Sequence, residues 1–408
     1  MEVCVLGAGI VGLSTAYALN RQGVQVTVVD REAPGAGASG GNGAQLSYNY
    51  VQPLADPSIW AQLPSLLLSK NSPLKIRPQW DVAQWRWGLA FMQACNAKAS
   101  AHTTAKLLSL AALSRAGLDR MRALENPKCD FSSTGKLVLY PDAKGFAAAQ
   151  KQVALQNALG SRQEAVNGQQ SCALEPALES YHAHIAGAIF TPSECAVDCL
   201  KLCQELERLL RARGVRFVFG EAVTALDTRQ TRVVAARTAT QSIEADHFVL
   251  ALGSESVGLA SRVGVRLPVY PIKGYSMTLD IARSAAHAAP RINVTDVARK
   301  VVFARIGSRL RVAGMAELVG HDRSVRTQAI DSLRDTTQAI FPALHACKAE
   351  QPWAGLRPAT PSGLPIVGVH AAGPSNLVMN TGHGALGLTL AFGTAQQVAM
   401  HLLKTPTP

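Results

Sequence analysis

The chain has 408 residues, 48% of them hydrophobic and only 17% charged, against about 25% charged in an average soluble domain. At about 150 residues per domain this length holds two or three domains, the composition excludes a mainly disordered chain, and eight cysteines are too sparse for a disulfide scaffold. The net charge of +12 is dispersed, with no block of five Lys or Arg, which argues against nucleic acid and leaves an anionic surface or anionic ligands.

Met1-Glu2 opens directly into the apolar run VCVL (3–6), which predicts a buried strand and no export signal. The expected compartment is the cytoplasm, where thiols stay reduced, with a peripheral place on the inner face of the cell membrane left open. No stretch reads as a membrane span; the longest uncharged run, 368–403, is broken by Pro374 and many glycines. Gly7-Ala8-Gly9-Ile10-Val11-Gly12 follows the first strand, then an apolar helical stretch to Leu19, and VQVTVVD (24–30) reads as a second strand. A GxGxxG between strand and helix, with Asp30 closing the next strand, is the pattern of a dinucleotide-binding unit. Gly7 allows the tight turn, Gly9 lets backbone approach a pyrophosphate, and Gly12 lets helix pack on strand. The first-turn N–H groups face the phosphates, Asp30 suits ribose hydroxyls, and its presence argues against reading Arg31 as a 2′-phosphate ligand. A close-packed helix and strand with no ligand is the alternative.

Residues 35–44 (GAGASGGNGA) form a glycine-rich loop carrying Ser39 and Asn42, able to follow an extended ligand or to serve as a flexible linker. Further along, 98–125 and 144–159 predict helices, 135–141 a strand, and Val197–Arg213 a helix with Asp198 near its start. Cys195, Cys199 and Cys203 are spaced to share one helix face as small buried hydrophobes; no CxxC pair or His partner accompanies them, so no metal is expected. Residues 215–226 read as strand, 246–254 as a strand ending at Gly253-Ser254, 266–280 and 300–317 as long strands with a turn at Gly307-Ser308, and 376–393 as strand, glycine turn and final helix. The chain thus returns to one nucleotide site from three distant places, as FAD requires because its flavin extends beyond the pyrophosphate. Residues 54–95 stand apart. They hold Trp60, Trp80, Trp85 and Trp87 with leucines and Lys70, Lys75 and Arg77, the composition of an interfacial segment or of a helical hairpin packed on the rest.

The resulting fold class is α/β: a Rossmann-like FAD-binding domain (1–55, 96–128, 192–266 and 351–408) interleaved with an α+β substrate domain on a mostly antiparallel sheet (129–191 and 267–350), plus a Trp-rich insert (56–95).

The stretches VCVLGAGIVGLSTAYALNRQG, SGGNGAQLS, LPVYPIKGYSMTL, RVAGMAELVG, WAGLRPATPSGLPIVG and NTGHGALGLTLA carry a resemblance that covers nearly the whole chain. It resembles the FAD-dependent amine and amino-acid oxidoreductases related to D-amino acid oxidase, and most of all the small subunit of bacterial D-amino acid dehydrogenase. Asn42-Gly43-Ala44-Gln45 departs from the usual Asn-Ala-Gly-Gln, so the loop path is expected to differ. The resemblance implies that Arg357, in GLRP, pairs with the substrate carboxylate, a task its planar fork suits; a bare reading leaves a structural ion pair open. It implies that the turn His383, Gly384, Ala385, Leu386, Gly387, Leu388 and Thr389 brings backbone N–H groups to the flavin pyrimidine, with His383 either a site residue or a packed turn residue. Ala385 stands where related glycine oxidases have a second arginine. Tyr50 and Tyr275 are candidate substrate-pocket hydroxyls, although each could simply satisfy its own hydroxyl in the core. Val223 would contact adenine through its backbone. No cysteine offers a covalent link in TPSG, so non-covalent FAD is expected.

The implied activity is oxidative deamination of an amino acid, D-enantiomers first, to a 2-oxo acid and ammonia, by hydride transfer from Cα to flavin N5. Such a transfer needs positioning more than a strong base. Electrons would pass to a quinone or another respiratory-chain acceptor. The alternatives are an amine or glycine oxidase using O2, a pyridine-nucleotide dehydrogenase, or the flavin subunit of a multi-subunit amine dehydrogenase that needs partner subunits.

Overall fold

The first thirty residues fold as strand, turn, helix and strand: Glu2–Leu6, Ile10–Asn20 and Gln25–Asp30. The computed structural model describes residues 1–51, 54–57, 60, 74–281 and 286–404. The opening unit lies in a six-stranded sheet with the order Ile366–Val369, Leu377–Thr381, His247–Leu250, Glu2–Leu6, Gln25–Asp30 and Arg216–Phe219. Its strands are parallel except for the antiparallel edge strand Ile366–Val369. Val3–Leu6 is buried throughout, which explains a continuous apolar run instead of an alternating one. Helix Ile10–Asn20 packs on the last helix, Gly387–Lys404, and on Cys199–Ala212, while Ala97–Glu125 backs the last helix. Close packing at the glycine motif is obligatory: a Cβ on Gly12 would lie 1.8 Å from the Gly7 carbonyl oxygen.

The second sheet runs Ala349–Ala359, Tyr270–Asp280, Arg309–Leu318, Val301–Ile306, Asn293–Asp296, Lys136–Tyr140, Gly187–Thr191 and Glu164–Val166, with Leu74–Ile76 paired to Arg309–Leu318. Most of its pairs are antiparallel. Its strand Ala349–Ala359 crosses residue 351, where the sequence reading began a segment of the nucleotide domain. The 215–226 stretch is two strands, Arg216–Phe219 and Ala225–Arg229, because Gly220 turns the chain at φ +79°.

Cys195 corrects the expected cysteine stripe. It lies in the short strand Cys195–Ala196, and the helix starts at Cys199. Asp198 caps that helix, its Oδ1 accepting from the Leu200 and Lys201 amides. A side chain that caps first-turn amides fixes where a helix begins, so helical spacing cannot extend back to 195. In the Trp-rich stretch, Leu74–Ile76 joins the second sheet and Val82–Ala94 is a helix. Trp87 is buried there, its Nε1 donating to the Ala359 carbonyl at 2.8 Å. Trp80, Trp85 and Leu89 are exposed. Leu66, Leu67, Leu68 and Lys70 lie outside the described residues. No helix among the described residues is long and apolar enough to cross a membrane.

Candidate functional site

Both sheets contribute to one cavity of about 900 Å³. At one end stands the start of helix Ile10–Asn20, whose first-turn N–H groups have no intrahelical partner. Gly7, Gly9, Ile10 and Val11 border the cavity there, with Asp30, Arg31, Val223 and Gly253 beside them. Asp30 ties this end together: its Oδ2 accepts from the Ala8 amide at 2.6 Å and its Oδ1 from the Glu32 amide at 3.0 Å. Burial raises its pKa above the usual carboxylate value. Arg31 is exposed and ion-paired with Glu32 and Glu255. Gly12 is set back from the wall, and its role is the helix–strand approach already described.

The glycine-rich loop forms the next stretch of wall. Ser39 Oγ accepts from the Ile10 amide at 3.0 Å, so the loop closes over the helix start. Beyond it the loop lies across the second sheet, strand by strand. Ser276 Oγ donates to the Gly41 carbonyl at 2.7 Å, Arg311 Nη1 to those of Gly40 and Asn42 at 3.2 Å, and Gln45 Nε2 to those of Phe303 and Val294. Lys136 Nζ donates to Ser47 Oγ at 2.9 Å. The exchanged order of residues 43 and 44 has a visible result. Ala44 takes φ +58°, a left-handed conformation, held by its amide donating to Asn42 Oδ1 at 2.9 Å. Such an Asx turn offsets the cost of a Cβ in that region. Gly43 lies flat on the sheet, where a Cβ would come 2.9 Å from Val302 Cγ2.

At the far end stand Arg357, Met315, Tyr50, Lys136, the turn Gly384–Leu386 and the start of the last helix, Gly387 to Thr389. Arg357 Nη1 donates to the Met315 carbonyl at 2.8 Å. No carboxylate of the described residues comes within 4.0 Å of its guanidinium, and burial lowers its pKa. Gly274 makes room for this side chain, since a Cβ there would fall 2.3 Å from Arg357 Nη2. A guanidinium stays cationic in proteins, so the cavity holds a desolvated charge with open donors.

The other candidates divide. Tyr50 borders the cavity, with the Lys136 ammonium over its ring at 4.7 Å. Tyr275 also borders it, yet its hydroxyl donates to Glu317 Oε2 at 2.9 Å and accepts from Arg326 Nε at 3.0 Å. Arg326 and Glu317 are themselves ion-paired. The Tyr275 hydroxyl thus belongs to a buried cluster at the cavity wall, the second of the two readings the sequence left open. His383 follows the packed-turn alternative. Its ring is buried with Nε2 on Thr394 Oγ1 at 3.1 Å, and burial pushes its pKa down to about 3. The residue borders the cavity, and its ring braces the turn on the last helix.

The residues fit a dinucleotide longer than NAD. Two helix starts supply N–H groups at opposite ends, and the buried Asn380, which also borders the cavity, has an Oδ1 without a partner among the described residues. FAD would lie with its pyrophosphate at Gly9–Val11 and its flavin toward Gly384–Thr389. The FAD dependent oxidoreductase family matches residues 2–400.

The chain belongs to that family. A D-amino acid dehydrogenase 2 of Ralstonia nicotianae is 46% identical over 98% of this chain and 96% of its own length. One of the same name from Pseudomonas aeruginosa is 42% identical over 99% and 95%. Among solved structures, a glycine oxidase of Bacillus cereus superposes with TM-score 0.76 at 19% identity, over 100% of this chain and 96% of that one, a likeness of fold. As an FAD-dependent oxidoreductase, the protein has parts in its site that sequence reasoning missed. Lys136 is buried, and burial lowers its pKa to about 8. Trp353 packs its ring on Gly41. Arg311 holds the loop. Gly274, a glycine inside a strand pattern, was the available signal, and the strand shifts register there, between Lys273 and Tyr275.

Proposed function

We propose that this FAD-dependent oxidoreductase deaminates amino acids, D-enantiomers first, to 2-oxo acids and ammonia, and hands the electrons to a quinone or another non-oxygen acceptor. The single observation that carries the reading is Arg357: a desolvated guanidinium with no carboxylate partner among the described residues, facing the cavity in the GLRP segment. Bound FAD supplies the two-electron acceptor for the Cα hydride. Arg357 holds the substrate carboxylate through two parallel charge-assisted bonds, which fixes the face that Cα presents. The Met315 carbonyl keeps the fork from turning. The packed walls of both sheets exclude water, and the start of the last helix places its positive end where negative charge develops. Anaerobic mixing with a panel of D- and L-amino acids tests this. Bleaching of the flavin absorbance by D-amino acids, and slower reoxidation by O2 than by a soluble quinone, is the expected result. Bleaching by amines that lack a carboxylate, at equal efficiency, would refute the Arg357 assignment.

A second reading concerns where the electrons go. On helix Val82–Ala94 the exposed Val82, Trp85 and Leu89 fall on one face, next to a fully exposed Trp80 and the exposed Lys75 and Arg77. This patch suits peripheral contact with an anionic membrane, where each basic residue contributes about 1 kcal/mol. Co-sedimentation with anionic liposomes at low and high salt checks it. Wild type in the supernatant at both salts, or unchanged pelleting after serine replaces Trp80, Trp85 and Leu89, would leave a soluble acceptor.

A further inference from the structure

Arg357 is not the only cation facing the cavity from the second sheet. Lys136, and Lys300 in the turn before Val301–Ile306, also border it, and no carboxylate of the described residues does so from that side. The bordering acids, Asp30, Glu32 and Glu255, belong to the end near helix Ile10–Asn20, where Arg31 pairs with Glu32 and Glu255, Arg323 pairs with Glu255, and Asp30 accepts backbone amides. At the flavin end the groups that border the cavity are therefore cations, with Glu194 set behind the wall as the acid that acts on Lys136.

Lys136 is the buried member of this set, 5% exposed. Its ammonium has three donors. One goes to Ser47 Oγ, and the ring of Tyr50 covers one side. No carboxylate of the described residues lies within 4.0 Å. Glu194 is near enough to influence it, but its oxygens accept from the amides of Tyr48, Asn49 and Tyr50 at 2.8, 2.7 and 3.3 Å. The mounting is rigid. Gln156 Nε2 donates to the Val51 carbonyl and Gln163 Nε2 to that of Asn49, while the Ser47 amide donates to Thr389 Oγ1 at 3.1 Å. A lysine kept only for a surface charge has no use for such a frame.

The spacing suits a second anionic group on the substrate. The Arg357 guanidinium reaches strand Arg309–Leu318 at Met315. From there Val301–Ile306 and Asn293–Asp296 intervene before Lys136–Tyr140. Three strand spacings are about 14 Å, a gap that the lysine stem and a substrate with two carboxylates close together. Resting on the amino-acid reading above, we infer that Lys136 is a specificity-determining residue that binds a side-chain carboxylate, so that acidic D-amino acids are the preferred substrate class.

Shape-matched pairs test this on the holoenzyme. D-glutamate against D-glutamine, and D-aspartate against D-asparagine, differ in the terminal charge and little in shape. The expected kcat/KM ratio for the acid over its amide is about 10- to 100-fold, the size of one charge-assisted contact. Lys136→Met should bring that ratio within a few-fold of one, and Lys136→Arg should keep most of it. A readout without turnover runs alongside: glutarate should perturb the flavin spectrum at lower concentration than pentanoate, and Lys136→Met should remove the difference. Wild type that handles the amides as well as the acids overturns the inference without any variant. A ratio that survives in Lys136→Met but collapses in Lys300→Met also overturns it. If no amino acid bleaches the flavin while glutarate still binds through Lys136, the deaminase reading fails and the anchor stands.

Discussion

Gly274→Ala is the sharpest probe of the site, because it moves Arg357 without removing it. The new methyl carbon would fall 2.3 Å from Nη2 and 2.5 Å from Cζ of Arg357, whereas ordinary carbon contacts begin near 3.4 Å. The guanidinium must therefore shift by about 1 Å. The atoms in the way are the far end of a flexible side chain, so the backbone pairing of Gly274 with Gly355 can persist and the fold should survive. A misplacement of about 1 Å in a positioning group costs on the order of 100-fold, or about 2.7 kcal/mol of transition-state stabilisation. We expect kcat/KM for an amino acid to fall by about that factor, chiefly through KM, with FAD content unchanged and Tm lowered by a few degrees at most. Anaerobic flavin bleaching with calorimetry on the same sample measures all three. Wild-type kinetics in a folded Gly274→Ala protein would mean that the guanidinium does not contact the substrate.

Three further outcomes follow from the same geometry. Arg357→Lys should retain FAD yet lose about 30- to 1000-fold in kcat/KM, because a point charge cannot replace a bidentate fork; comparing a substrate with its decarboxylated amine isolates the term. Gly9→Val should purify colourless, since a side chain there enters the pyrophosphate end close to Ser39 Oγ; a yellow, stoichiometrically loaded protein would contradict the placement. His383 gives the fold an acid liability. It is neutral in both states above the unfolded value near 6.5, and burial lowers the folded value to about 3, so stability is lost as pH falls below about 6.5 toward 3. By pH 5 the loss is about 2 kcal/mol, and His383→Gln should flatten the fall of Tm between pH 6.5 and 5 relative to wild type.

The first thirty residues were legible because every signal in them is local: an apolar run, glycines at fixed spacing and an acid at the strand end. The long helix Ala97–Glu125 and the hairpin at Gly307-Ser308 were legible for the same reason. Hydroxyl and ring partners were not. Nothing in KGYSM says that Tyr275 meets Glu317 and Arg326, since those partners lie 42 and 51 residues on. Lys136 opens the run KLVLY and reads as a polar strand end until Ser47 and Tyr50 are folded over it. Cys195 was misread because i, i+4 spacing continues across a helix cap that only Asp198 defines. The exchange of Gly43 and Ala44 was visible, but its accommodation by the Asn42 turn required backbone angles.

A glycine-rich loop ordinarily carries many conformations, and a ligand that selects one of them binds more weakly for it. Here the carbonyls of Gly40, Gly41 and Asn42 are already gripped by Ser276 and Arg311 from the opposite sheet. The loop's shape is thus held by bonds to the protein itself, independent of the dinucleotide. Affinity for the dinucleotide then becomes a property of residues that never touch it, and loosening Arg311 should speed flavin release while leaving every direct contact in place.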